Sequence, residues 1–373
     1  MSATENSYLL YALPHSLYSG KARSYLRYKG IPYREKVSTL RLFYKVIIPR
    51  TGVKYIPVLH SPDDVVVQDT SDIIDFLEAR FPRDPVYPQT PRQKLVSLLF
   101  ELYGDEWLLL PAMHYRWSFW HEKAHINDVL EHFGMLLSPR APRLLRRQVG
   151  KRFCRPFSGS LPLLGIHPHN IPALESWYGS FMRDMDAHFA RHPYLLGGRA
   201  SIGDFGLMGP LYAHLGRDFY PKSLMQAQAP HLYEWVQRMN HAPQPTQFLA
   251  NDAVPETLLP VLRSMFAEHF PVLLDTVRRL ETWLEENPER RIPRVIGEHE
   301  FSLGGVKAVR KIFPYAQWML QRPLDFYQSL RGEDKESVDA LLREVGGFDA
   351  MQTRIGHRLS RIQNRLVADA PRA

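Results

Sequence analysis

Cysteine is nearly absent: Cys154 is the only one in 373 residues. That excludes an internal disulfide framework, a CxxC redox pair and a zinc site built on several thiolates. Long apolar runs are also missing, and none reaches the roughly 18 residues that a membrane-spanning helix needs. The first residues, MSATENSYLLYALPHS, lack the basic-then-apolar order of a secretory signal. A reducing aqueous compartment is expected, most simply the cytoplasm. Charge of one sign is scarce except in one place. Between Ser138 and Phe157 stand Arg140, Arg143, Arg146, Arg147, Lys151, Arg152 and Arg155 with no acid, against a net charge of +8 for the whole chain. The remainder is close to neutral, which argues against a nucleic-acid-binding surface. What is plentiful is core: 45% hydrophobic and 12% aromatic residues mark a globular chain of two or three domains.

The first 82 residues alternate strand and helix signals. Apolar runs at Tyr8–Tyr11, Tyr33–Val37, Pro57–His60 and Val65–Gln68 read as strands, the last two joined through Ser61-Pro62-Asp63-Asp64. Ser16–Lys29 places Ala22, Tyr25 and Leu26 on one helical face and stops at Gly30. Leu40–Ile48 reads as a short helix or an irregular segment. Asp69-Thr70 caps a helix carrying Ile73, Ile74, Phe76 and Leu77. This order predicts a small mixed sheet with helices packed on it. Residues 83–91 hold three prolines and suit a linker. Helices follow at Leu95–Leu110, Trp117–Leu137, Ala173–Ala190, Ser201–Leu215 and His231–Met239, before a proline-bearing break at 241–255. From 256 to 373 the charges nearly balance, and helical patterns occur at 256–286, 306–330, 335–345 and 349–368. Gly297–Gly305 reads as an extended or turn element between helices.

Three stretches carry competing meanings. His121-Glu122-Lys123-Ala124-His125 matches the HExxH zinc motif, but no third ligand stands at a matching spacing and Lys123 adds a cation. With 16 histidines in the chain a chance match is the simpler reading, and no metal is expected. The basic stretch places Leu145, Val149 and Phe153 on one helical face, as a helix on an anionic membrane or an acidic partner would. A solvated insertion loop is the expectation, because charge runs usually face water. Tyr315, Trp318, Met319 and Phe326 form an apolar helical stripe read as core.

Four motifs in register resemble the glutathione S-transferase family over about residues 7–240. Ser16-Leu17-Tyr18-Ser19-Gly20-Lys21-Ala22-Arg23, running on to Lys29-Gly30-Ile31, looks like the family's Ser-x-x-Ser-x-Lys-Val-Arg stretch. Ile56-Pro57-Val58-Leu59 is similar to its Val/Ile-Pro-x-Leu, in which the proline is cis. Asp69-Thr70-Ser71-Asp72-Ile73-Ile74-Asp75-Phe76-Leu77 is close to Glu-Ser-x-x-Ile-x-x-Tyr-Leu. Leu196-Gly197-Gly198-Arg199-Ala200-Ser201-Ile202-Gly203-Asp204 resembles the capping-box motif of the helical domain, with a folding role only.

The resemblance implies an α/β plus all-α protein. A thioredoxin-like four-stranded mixed sheet would occupy 1–82 and a helical substrate domain 92–240, with a mostly helical extension, 256–373, packed on both. It implies glutathione as cosubstrate and a hydrophobic electrophile as second substrate, faced by an aromatic wall of Met113, Tyr115, Trp117, Phe119 and Trp120; helical-domain core is the plainer reading of those residues. A hydroxyl donor and a helix N-terminus both favour the thiolate of glutathione. Ser16 falls on the activating position, with Tyr11 and Tyr18 as alternatives; a plain helix cap is the other role open to Ser16. Ile56, ahead of Pro57, would pair with the cysteinyl backbone. Thr70 would hold the γ-glutamyl carboxylate and Asp69 the amino group. A homodimer is the family's habit, held loosely here. The rival reading is a non-catalytic protein that keeps this fold for contacts made by its basic insertion and extension.

Overall fold

The computed structural model describes residues 7–137, 141–241, 246–288 and 291–369. The chain forms two compact units, each gathered from three separated stretches. One comprises Met1–Pro85, Leu108–Leu161 and Phe205–Pro245, the other Val86–Trp107, Pro162–Asp204 and Thr246–Ala373.

The first unit is built on four short strands: β1 (Tyr8–Ala12), β2 (Tyr33–Val37), β3 (Val58–His60) and β4 (Val66–Gln68), in the order β2-β1-β3-β4. β1 and β2 are parallel, while β3 is antiparallel to both of its neighbours. This is the thioredoxin-like mixed sheet. Parallel strands need a crossover, and α1 (Leu17–Tyr28) supplies it, burying Ala22, Tyr25 and Leu26. The Leu40–Ile48 region is helical, as the chain from Leu40 to Thr51 winds through a π turn at Phe43–Ile47. α1 is tied to the helix Thr70–Arg80 by polar groups, since Glu78 accepts from Tyr25 Oη at 2.6 Å and pairs with Lys29 Nζ at 2.9 Å. Tyr25 and Tyr28 both meet the ring of Phe205 edge-on, with centroids 5.4 Å apart.

The helix expected over Trp117–Leu137 begins only at Lys123, because Trp117 is the last residue of a separate helix, Leu109–Trp117, and the chain turns at 118–122. The basic stretch is not an insertion loop. Arg143–Ser158 is a helix packed on Lys123–Leu137, while Arg140 lies outside the described residues. Glycine permits the approach: a Cβ on Gly134 would lie 2.1 Å from the Arg146 carbonyl, and one on Gly150 2.2 Å from that of Leu130. Trp117, Val129, Phe133 and Cys154 fill the contact. Glu131 gathers three of the arginines, with Arg143 Nε at 2.7 Å and Arg146 and Arg147 farther out.

The second unit places its helices Pro91–Leu102, Ile171–Phe189, Phe270–Glu286, Tyr315–Ser329 and Gly332–Glu344 around Tyr103, Trp107, Phe181, Phe270 and Met319, all buried. Arg322 of the C-terminal stretch donates to Glu101 Oε2 at 3.1 Å and to Tyr87 Oη at 2.8 Å. Two segments read as helix are partly sheet. Val306–Lys311 is strand β6, paired with β5 (Glu298–Leu303) through Gly304-Gly305 at φ 56° and 79°. Beyond the short helix Phe348–Met351 the chain forms a second hairpin, β7 (Leu359–Ile362) and β8 (Arg365–Ala368). Its turn residues Gln363 and Asn364 have φ of 49° and 62°, the backbone of a two-residue hairpin turn that no helix allows.

The box at Ser201–Asp204 forms as expected. Asp204 Oδ2 accepts from the Ser201 N–H and Oγ, both at 2.8 Å, and Oδ1 takes the Leu195 N–H at 3.0 Å.

Candidate functional site

Sheet topology alone brings three of the sequence motifs to one edge. β1 and β4 are both antiparallel to β3 and so run the same way. Tyr11, Val58 and Gln68 form one row across them. Beyond that row lie the β1–α1 loop ending at Ser16, the Ile56-Pro57 approach to β3, and the Asp69-Thr70 start of a helix. Continued two residues, the β3–β4 register sets Ile56 opposite Thr70.

Ser16 is the N-cap of α1, its Oγ accepting from the Ser19 N–H at 3.3 Å. Capping uses a lone pair and leaves the hydroxyl proton free to donate outward. The loop that delivers Ser16 is held by guanidinium groups. Arg23 donates to the Leu13 carbonyl at 3.3 Å, Arg217 to Pro14 at 2.7 Å and Arg116 to His15 at 2.7 Å. Two of the three are anchored by carboxylates: Arg23 by Glu35, with both contacts at 2.7 Å, and Arg116 by Asp218 at 2.6 and 2.9 Å. The His15 ring is buried against His132, 4.7 Å between centroids, and against Phe133. Burial, reinforced by Arg116 and Arg217, holds its imidazole far below the ordinary range, so it is neutral.

Tyr11 is placed differently. It lies in the core with Ile47 and Val58, and burial raises its phenol above the usual value despite Arg50 nearby. Tyr18 is half-buried on the first turn of α1.

The Ile56-Pro57 bond is cis. No backbone hydrogen bond of Ile56 occurs among the described residues. Asp69 caps the next helix with Oδ1 3.0 Å from the Ser71 N–H, at φ 89°. A positive φ on a non-glycine residue costs of order 1–3 kcal/mol and gathers at binding sites. Below this turn the fully buried Lys21 reaches Ser71 Oγ at 3.3 Å, placing a cation beside the helix start.

Residues 10–85 match the family model "Glutathione S-transferase, N-terminal domain", and residues 181–243 the model "Glutathione S-transferase, C-terminal domain". Two separate stretches of the chain thus match the two domain models of the glutathione S-transferase family. No curated protein matches the sequence significantly. Solved glutathione S-transferase structures align over their own nearly full length. One from Rhodospirillum rubrum F11 is 14% identical with a TM-score of 0.41, covering 67% of this chain and 96% of that one. A glutathione transferase from Phanerochaete chrysosporium is 18% identical with a TM-score of 0.43, covering 62% and 96%. A third, from Methylobacterium radiotolerans and in complex with glutathione sulfonate, is 18% identical with a TM-score of 0.38, covering 65% and 100%.

In this glutathione S-transferase-like chain the aromatic stretch divides in two. Tyr115, Phe119 and Tyr220 stack, Phe119 lying 4.2 Å from Tyr220. Trp117 turns away into the core with Phe133 and Cys154, with Met113 and Trp120 packed against them. Burial pushes the Cys154 thiol up to about 12. The HExxH pair is not brought together as ligands. His121 is exposed ahead of the helix, whereas His125 is buried with Nε2 3.0 Å from the Arg116 carbonyl. Among the described residues no group of three metal-binding side chains forms, and no helix is long and apolar enough to cross a membrane.

Arg116, Arg217 and Asp218 escaped the sequence reading. Their partners lie about 100 to 200 residues away along the chain, and no local pattern marks them.

Proposed function

We propose that this protein is a cytoplasmic glutathione transferase that activates the glutathione thiol for attack on a hydrophobic electrophile. The observation that carries the reading is the convergence of Ser16, Ile56 and Asp69-Thr70 at one end of the sheet. Each is a group that the tripeptide needs.

The γ-glutamyl carboxylate would dock at the start of the helix Thr70–Arg80, where backbone N–H groups, the Thr70 hydroxyl and Lys21 favour an anion. The Asp69 carboxylate would attract the amino group. The cysteinyl backbone would extend the sheet along Ile56, whose backbone makes no other described hydrogen bond. That leaves the sulfur at the N-terminus of α1. The Ser16 hydroxyl would donate to it, and the hydroxyl and the helix dipole both stabilise thiolate over thiol. The thiolate electron pair then forms the S–C bond, and the electrophile's leaving group departs with the bonding pair. Tyr115, Phe119 and Tyr220 supply an apolar stack for the electrophile.

Calorimetric titration of glutathione, paired with turnover of a model aryl halide, tests the reading. Saturable binding with Ser16-dependent turnover is expected. Binding without turnover would leave a protein that only holds glutathione, and absence of binding would overturn the site altogether.

A further inference from the structure

The helix Arg143–Ser158 packs on one side only. Gly150 and Cys154 are buried there, with Gly150 set against the Leu130 carbonyl of the helix Lys123–Leu137. Half a turn away, at about 3.6 residues per turn, the opposite face carries Leu144, Leu145, Gln148, Lys151, Arg152 and Arg155. All six are exposed, and none is acidic.

The charge of this helix falls into two groups. Arg143, Arg146 and Arg147 lie toward Glu131, which answers them. Lys151, Arg152 and Arg155 pair with no carboxylate among the described residues. The apolar residues of the same face are equally unanswered, since Leu144 is 75% exposed and Leu145 49%. Single exposed leucines are ordinary. Here two adjacent ones occupy the first turn, and the three cations begin about 10 Å farther along the axis at 1.5 Å per residue.

We propose that this face docks the protein on an anionic lipid surface, with the leucines entering the acyl boundary and the cations lying among the headgroups. The pairing of the two chemistries decides the partner. A nucleic acid would answer the cations but offers its phosphate backbone nothing to bury leucine against, and outside this stretch the chain is close to neutral. An acidic protein would need an apolar pocket beside its acidic patch, at the right distance. A bilayer presents negative headgroups and hydrocarbon together, a few ångströms apart in depth, at every point of its surface. Docking is peripheral, because no described helix is long and apolar enough to cross. Neither signal holds a protein on a membrane strongly, whereas the two combined do. Each cation near an anionic leaflet is worth roughly fivefold in partitioning, so three contribute about a hundredfold.

Sedimentation of the full-length protein with vesicles tests this, using phosphatidylcholine alone or with about one third phosphatidylglycerol. Saturable binding is expected only to the anionic vesicles, and it should weaken as salt rises. Leu144→Ser combined with Leu145→Ser should weaken partitioning about tenfold or more, as removal of buried apolar area does. Lys151→Gln, Arg152→Gln and Arg155→Gln together should weaken it about a hundredfold. These positions face solvent, so both variants should keep the parent's melting temperature. Absence of binding to anionic vesicles would overturn the proposal. So would parental binding by the leucine variant, which would reduce the contact to adsorption of charge. Tighter binding to polyglutamate than to vesicles, at equal charge concentration, would assign the face to an acidic protein and overturn it as well.

Discussion

Arg116 and Asp218 are each 2% exposed and form a two-point ion pair whose guanidinium also takes the carbonyls of His15 and Ala213. One buried side chain thus joins the helix Leu109–Trp117, the π turn Leu211–Leu215 and the loop that presents Ser16. Removing one partner of a buried pair leaves the other charge unanswered, at a cost of roughly 3–5 kcal/mol. Arg116→Met should therefore lower stability by about that amount in urea titration. Arg116→Lys keeps the charge but lacks the planar fork, and should lose turnover more than glutathione affinity. Equal stability of Arg116→Met and the parent protein would refute this account.

Ser16→Ala should depress turnover and raise the apparent thiol pKa of bound glutathione, leaving its affinity little changed. The hydroxyl favours thiolate over thiol and adds little to binding of the rest of the tripeptide. Tyr11→Phe is the control. Its phenol sits in the core with Ile47 and Val58, so a smaller effect is expected. A larger loss from Tyr11→Phe would move the activating role there.

Thr70→Val keeps the shape of the side chain and deletes its hydroxyl. Glutathione affinity should fall by roughly 1–3 kcal/mol in calorimetry, as for loss of a hydrogen bond to a charged group. Unchanged affinity would mean that the carboxylate docks elsewhere.

Acid should destabilise both units through buried neutral imidazoles. Burial pushes His188 and His214 down to about 3, while both would titrate near 6.5 when unfolded. Between those values the unfolded chain binds the extra proton, so stability falls as pH falls and is fully present above about 6.5. Each group contributes a slope of about 1.4 kcal/mol per pH unit within the window. His188 accepts from Thr257 Oγ1 at 2.7 Å while its Nε2 faces the Tyr194 carbonyl, a neutral tautomer that protonation breaks. In urea titrations at pH 7 and pH 4.5, His188→Gln should show a shallower loss than the parent. An identical loss would remove His188 from the explanation.

The sheet and both helix starts of the candidate site were legible because they depend on short-range signals. Gly30 ends α1, Asp69 caps the next helix, and the β3–β4 turn lies in four consecutive residues. The hairpins were harder. Gly304-Gly305 between Phe301-x-Leu303 and Val306-x-Ala308 is a readable two-residue turn with alternation on each side. The 359–368 hairpin is hidden because Leu359, Ile362 and Leu366 also fit helical spacing, and only the backbone at Gln363 and Asn364 decides. The helix Arg143–Ser158 is masked by its dense positive charge, while the face that packs it is marked only by Gly150 and Cys154. Two of the three arginines on the Leu13–His15 carbonyls, Arg116 and Arg217, could not be read at all. Nothing near Arg217 in the chain announces that its partner is Pro14.

Interleaving of the two compact units governs how the protein can be divided. The chain passes from one unit to the other four times, near 85, 107, 161 and 204, before its last crossing near 245. No single cut therefore releases either unit whole. A fragment ending near residue 245 would retain Val86–Trp107 and Pro162–Asp204 yet lose the partners that cover Glu101, Trp107 and Trp177, leaving an exposed aromatic face. The C-terminal third is thus a structural completion of segments already threaded through the first two thirds. Truncated or fused versions should be designed around that weave, with insertions at surface turns such as Gly304-Gly305 and the chain kept continuous elsewhere.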